Sequence, residues 1–245
     1  MDDKSFVIKL LIDAKEERKS QNRIIYFGNK LVDIPYVGHT LEEGDQEHLI
    51  VNLHGLDCVT FVENVVALSL CDKQDKRTFE DFCENLKLIR YRDGILTDYT
   101  SRLHYSSWWF ENKIKLGLLK EIISEGEPFT AEMTLDLFYM TTHPDYYKQL
   151  KNHPNFIPII NKYEKEINGR KYKYIPKENL SYEKKSLLKI IHDGDILAMI
   201  TNVKGLDYSH LGFAIWKNDE LYLLHLSFIK KEDLAAEETL YEYVM

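Results

Sequence analysis

The sequence predicts an α+β protein. Helical apolar spacing dominates to about residue 90, and strand patterns punctuated by turn signals occupy the end of the chain. Between them runs an irregular, unusually aromatic stretch from Tyr91 to about Pro176. Helices first and an antiparallel sheet last is the α+β order. In the first stretch, "FVIKLLIDAKEE" is helical and "DIPYVGHTLEEGD" is a loop. Phe61, Val62, Val65, Val66 and Leu68 then recur at helical spacing, which predicts a buried helix starting near Asp57. "FEDFCENLKLI" is a second amphipathic helix. Three strands follow the aromatic stretch, "DGDILAMIT", "SHLGFAIW" and "LYLLHLSF", with turns at Asp193-Gly194 and Asn218-Asp219. There is no internal repeat or low-complexity linker, so residues 1–245 are expected to form a single domain with an insert over about 91–176.

Composition excludes several classes of function. A net charge of −8 argues against a nucleic-acid partner or an anionic membrane surface, both of which need clustered Lys and Arg. No apolar run approaches the roughly twenty residues that span a bilayer. The start "MDDKSFVIKLL" lacks the basic region and cleavage site of a secretory signal. The expected location is the periplasm or cell envelope if an export signal has been trimmed, and the cytoplasm if the chain is complete as given. A monomer is expected.

The three cysteines form no disulfide framework or zinc ribbon, because no CxxC pair is present. Cys71 is read as following the Cys58 helix, Cys83 lies in the second amphipathic helix, and both are expected to be structural. Cys58 is different. It falls in the first turn of its helix, where unpaired N–H groups and a partial positive charge favour a thiolate. The competing reading is a core cysteine, since free Cys is among the most buried residue types. In "SHLGFAIW", alternation puts His210, Gly212, Ala214 and Trp216 on one face and Leu211, Phe213 and Ile215 on the other. Gly212 is expected to mark close approach by the Cys58 helix. His39, His48, His143, His153 and His192 sit in polar or loop contexts and are read as solvated.

The ordered set "PYVGHTLE…GLDCVTFVENV…SHLGFAIW…LLHLS" resembles the NlpC-type papain-like cysteine peptidases. "YRDGILTDYTSRLHYSSWW" and "YIP…DGDILAMIT" are similar, more narrowly, to the N-acetylmuramoyl-L-alanine amidase-like branch of that superfamily. The resemblance implies a papain-like fold with Cys58 as nucleophile and His210 as general base. It makes His225 the residue that orients the base and Tyr36 an oxyanion donor beside the thiol, together with the Cys58 N–H. Asp57 either touches substrate or caps the helix, and both roles stay open because a carboxylate opposes ionisation of the adjacent thiol. Arg102, His104 and Tyr105 of "SRLHY" offer a carboxylate fork, a titratable donor and a ring for sugar faces. Ser209 completes the expected substrate-binding set, and Trp108 and Trp109 are read as mostly structural.

The implied activity is hydrolysis of the amide between N-acetylmuramic acid and L-alanine in muropeptides, with no metal or cofactor. Three rivals remain. An endopeptidase on the same scaffold would cut the stem peptide, and a wall-binding module would bind without cutting. A zinc amidase would gather His54, Cys58, His210 and His225 around a metal. The last two strands carry a geometric expectation for the His225 assignment. A two- or four-residue loop at Asn218-Asp219 sets Gly212 opposite His225 and His210 opposite Ser227, so His210 and His225 share a sheet face about 7–8 Å apart at Cα. A three-residue loop would put them on opposite faces.

Overall fold

The structure, a computed structural model, describes residues 1–17, 21–122, 126–182, 187, 190–226 and 238–245. Four helices come first: α1 (Asp3–Glu16), α2 (Arg23–Leu31), α3 (Cys58–Lys73) and α4 (Phe79–Arg90). α3 is the axis of the core. Phe61, Val62, Val65, Ala67 and Leu68 are buried around it, so it is apolar on nearly every side, as a helix surrounded by other elements must be. α1, α2 and α4 pack against it. Cys71 lies inside α3 rather than after it, fully buried, where its sulfur accepts a hydrogen bond from Asn85 Nδ2 at 3.1 Å.

The aromatic stretch holds α5 (Ser106–Lys115), β1 (Ala131–Thr134), the short helices α6 (Tyr139–Thr142) and α7 (Lys148–Asn152), α8 (Ile157–Ile167) and β2 (Lys171–Tyr174). β1 and β2 pair antiparallel, Ala131 opposite Tyr174. That ribbon was not legible in the sequence: each strand is four residues long, and its partner lies beyond three intervening helices. Tyr99, Trp108, Trp109, Leu150 and Ile160 from this stretch join the same apolar cluster as α1 to α4. The Trp pair is therefore core.

After α9 (Asn179–Tyr182) come β3 (Ile196–Ile200), β4 (Tyr208–Lys217) and β5 (Glu220–Leu224), an antiparallel sheet in that order. Lys217 pairs with Glu220 across a two-residue turn in which Asn218 and Asp219 both have positive φ, 51° and 62°. Short polar residues tolerate that left-handed region, and the resulting twist suits a hairpin. Between β3 and β4 the register slips after the Met199–His210 pair, so Ile200 meets Tyr208 and Ser209 is the extra residue of a bulge.

Both faces of the sheet are covered. Leu211, Phe213 and Leu224 join the main core, with the Phe213 ring 5.9 Å from that of Phe61 on α3. Ala214, Leu221 and Leu223 join a second cluster with Leu187, Ile191 and Leu240, the first residue of α10 (Leu240–Val244). This corrects the expectation for Gly212. A Cβ there would strike Leu223 and His225 at 2.7 to 2.9 Å, so the strand is thin for its cross-strand neighbours and not for α3, which packs on the opposite face. No helix among the described residues is long and apolar enough to cross a membrane.

Candidate active site

Cys58 is the first residue of α3, and the preceding loop is built to hold it there. Asp57 is the N-cap: its carboxylate accepts the Thr60 N–H at 2.8 Å, and the Thr60 hydroxyl accepts the Asp57 N–H at 2.8 Å. This reciprocal box satisfies two donors that a helix start otherwise leaves open. Just upstream, Leu56 bridges to Tyr36 in parallel, through Val37 N–H to Leu56 O at 2.9 Å and Leu56 N–H to Pro35 O at 3.1 Å. Gly55 permits that approach, since a Cβ there would lie 2.7 Å from Val37 Cγ2. The bridge brings Tyr36 into electrostatic range of Cys58 and Asp57.

The thiol is 8 % exposed and accepts a hydrogen bond from the N–H of Leu211, the residue after His210. Helix α3 and strand β4 thus meet at the sulfur. Burial pushes the thiol up to about 11, and the Asp57 charge adds to this. The N–H groups of Leu211, Cys58 and Val59 pull the other way and lose. The helix start alone therefore does not deliver a thiolate. Burial likewise pushes His210 down to about 4. Thiol and imidazole both rest neutral.

His225, one residue past β5, lies 2.6 Å from His210, Nδ1 to Nε2, with the two ring centroids 4.8 Å apart and nearly perpendicular at 86°. The two-residue turn produces this contact. It sets the register of β4 and β5, which places Gly212 beside His225 and puts both imidazoles on one face. Ser227, the expected partner of His210, lies outside the described residues. If Nε2 of His210 donates to His225, its Nδ1 is left with a free lone pair. Tyr36 is held up at about 12, by burial first and then by Cys58 and Asp57, and stays a protonated donor.

The expected substrate-binding residues fare less uniformly. Arg102 is a correction. Its guanidinium is buried, donates to Glu42 Oε1 at 2.6 Å and to Leu41 O at 3.0 Å, and lies 3.6 Å from Glu47. A fork engaged on both prongs has no face for a ligand. The Tyr105 hydroxyl donates to Glu164 at 2.8 Å and accepts from Met140 N–H at 3.0 Å, and the residue, 2 % exposed, is among those lining a cleft beside Val59. His104 is not a titrating donor: burial and the Arg102 charge hold it neutral, well below its usual value, with Nε2 2.7 Å from the Tyr99 carbonyl. Ser209 is exposed and its hydroxyl donates to Met199 O at 3.3 Å. His54 points away, 65 % exposed and 3.7 Å from Asp3, so it does not join Cys58. Among the described residues no three His, Cys, Asp or Glu side chains are grouped as a metal site requires.

A cleft of about 210 Å³ is lined by Val59, the residue after Cys58, while neither Cys58 nor His210 is among its lining residues. Tyr99, His104, Tyr146 and Tyr147 line it with Glu42 and Asp207, and no Lys or Arg is among its lining residues. Asp207 accepts the Ser107 N–H at 2.7 Å and its own carboxyl is raised by burial. His39, read as solvated, also lines this cleft. Sequence reasoning missed Asp207, Tyr146 and Tyr147 because the two tyrosines lie just ahead of α7 and Asp207 just ahead of β4, too far apart in the chain for any spacing to mark them as a group. It missed Tyr243 on α10 as well. The ring of Tyr243 lies 4.8 Å from that of His225, and its only sequence signal is the capping pattern Thr239-x-x-Glu242 ahead of it.

The chain is an α+β protein with antiparallel sheets, a class that sequence comparison makes specific. Residues 26–245 match the AmiA-like, N-acetylmuramoyl-L-alanine amidase-like family, and the chain belongs to it. An N-acetylmuramoyl-L-alanine amidase structure from Bacteroides uniformis is similar at 36 % identity with a TM-score of 0.80, covering 90 % of this chain and 91 % of that one. A Bacteroides fragilis structure named as a xylanase is 41 % identical with a TM-score of 0.77, over 88 % of this chain and 92 % of that one. A Legionella pneumophila protein is 26 % identical with a TM-score of 0.68, over 92 % of this chain and 83 % of that one. No curated protein matches.

Proposed function

We propose that this chain is a papain-like cysteine amidase that hydrolyses the amide between N-acetylmuramic acid and L-alanine in muropeptides. The observation that carries this reading is the meeting of α3 and β4 at the Cys58 sulfur, with His210 next to the contact and aligned by His225 at 2.6 Å. Because thiol and imidazole both rest neutral, the proton must move as the bond forms. Nδ1 of His210 takes the thiol proton while Sγ attacks the lactyl carbonyl carbon. The Cys58 N–H and the Tyr36 hydroxyl meet the oxyanion. The imidazolium then protonates the departing alanine nitrogen, leaving a thioester. His210 next deprotonates a water that attacks the thioester, releasing the sugar acid and restoring the thiol.

The cleft beside Val59 supports the muramoyl side of this assignment. Stem-peptide carboxylates call for Arg or Lys, which the cleft's lining lacks, whereas a sugar needs aromatic faces and hydrogen-bonding groups, here tyrosines with His104, Glu42 and Asp207. The name of the Bacteroides fragilis relative raises glycoside hydrolysis as a second reading. That chemistry needs two available carboxyl groups. Glu42 is engaged by Arg102 and Asp207 by backbone N–H groups, which favours the thiol.

Mass spectrometry of a mixed muropeptide digest tests the proposal. Expected products are free N-acetylmuramic acid species and peptides beginning with L-alanine, with Cys58→Ala slower by about 10⁴-fold or more. Sugar still carrying a dipeptide would mean an endopeptidase. Chelator sensitivity with iodoacetamide resistance would mean a metal amidase, reducing ends released from xylan a glycosidase, and retention without cleavage a binding module.

A further inference from the structure

The His210–His225 pair has a third ring against it that the reaction above does not use. Tyr243 sits 4.8 Å from His225 at an interplanar angle of 72°, and 5.8 Å from His210 at 42°, both between ring centroids. The element carrying it is tied down in three ways. Thr239 bridges to Tyr222 of β5, Thr239 and Glu242 form a reciprocal capping box, and Leu240 is buried with Ala214, Leu221 and Leu223. The phenol also lies in electrostatic range of Cys58, and burial followed by that sulfur holds its proton on.

A ring in this place has two physical effects. The terminal torsion of a histidine is broad, so the backbone alone does not select the orientation in which Nδ1 of His225 meets Nε2 of His210. An aromatic wall in edge contact with one imidazole and tilted contact with the other removes the competing orientations. Secondly, when His210 holds the proton it becomes a cation with an aromatic centroid within 6 Å, and the ring quadrupole favours that state.

We infer that Tyr243 is a positioning residue for the His210–His225 pair, which makes α10 a working part of the catalytic centre. The inference rests on the Cys58 centre proposed above but not on its substrate. It assigns the effect to the ring and not to the hydroxyl.

Tyr243→Phe and Tyr243→Leu separate these contributions. The first readout is the rate at which iodoacetamide labels Cys58 in the native protein near neutral pH, with Cys83 as internal reference. The second is kcat and KM on muropeptides. Tyr243→Leu should slow Cys58 labelling and lower kcat by about tenfold each while KM stays within about twofold, and Tyr243→Phe should stay within about threefold of the parent in both. Cys83 labelling should not change. If Leu unsettles the sheet, Tyr243→Met carries the same comparison with a more adaptable side chain. Cys58 labelling in the Leu variant equal to the parent overturns the inference, as does a Phe variant as slow as Leu. A Cys58→Ala variant that keeps the parent's kcat removes the thiol centre itself, and the inference with it, whereas a Leu variant equal to the parent in both readouts removes only the role of Tyr243.

Discussion

At the scale of single residues, the thiol and the imidazole are each pushed away from their charged forms, Cys58 up to about 11 and His210 down to about 4. Desolvation is the first cause for both, and it overrides the helix-start effect that the position of Cys58 in the chain suggests. The sign for catalysis follows. The proposed base must be neutral to accept a proton, and His210 stays neutral as pH falls until about 4. His225 and Tyr243 are the titratable groups in contact with it. The acid limb of kcat/KM should lie near pH 4 rather than near the usual histidine value of about 6.5. A pH–rate profile with circular dichroism at each pH checks this, and a limb at 6.5 in folded protein would show His210 to be solvated.

At the scale of elements, α3 places the nucleophile and the β4–β5 hairpin places the base and its partner. Asp57 belongs to the first of these. Its carboxylate closes the capping box with Thr60, which accounts for it without any substrate contact. Loss of such a cap costs about 1 kcal/mol, and Asn caps about as well as Asp. Asp57→Ala should therefore lower the melting temperature by a few degrees, roughly 4 °C or less for a chain of this size, and Asp57→Asn should not. If capping is the whole role, Asp57→Asn also keeps kcat/KM. An Asn variant that melts like the parent but loses about tenfold or more in kcat/KM would assign the charge to substrate instead.

At the scale of the whole molecule, Arg102 connects parts that are distant in the chain. It reaches Glu42, sixty positions away, as well as Leu41 O and Glu47, and its guanidinium lies 4.9 Å from the Tyr99 ring centroid. The loop after Tyr36 is thereby fastened to the aromatic stretch that lines the cleft. Removing one partner of a buried ion pair leaves the other uncompensated, at a cost of about 3–5 kcal/mol. Arg102→Ala is expected to lower thermal stability sharply. Arg102→Lys recovers only part of it, because an ammonium cannot serve Glu42 and Leu41 O in the same fork. A substrate clamp predicts the reverse: a raised KM with an unchanged melting temperature. Calorimetry beside steady-state kinetics distinguishes them.

The local features of this protein were legible in its sequence. The α3 helix with its start at Cys58, the three late strands and the turn at Asn218-Asp219 follow from apolar period, capping chemistry and residues that tolerate positive φ. The turn length also set strand parity, which put His210 and His225 on one face. These are short-range rules, and sequence carries them directly. Other features required the assembled molecule. The engagement of Arg102 with Glu42 and the four-residue ribbon of β1 and β2 pair segments far apart in the chain. The ring of Tyr243 reaches the histidines only after α10 docks on β5. The protonation of Cys58 and His210 was likewise undecided, because desolvation depends on everything packed around a group and no local pattern encodes that.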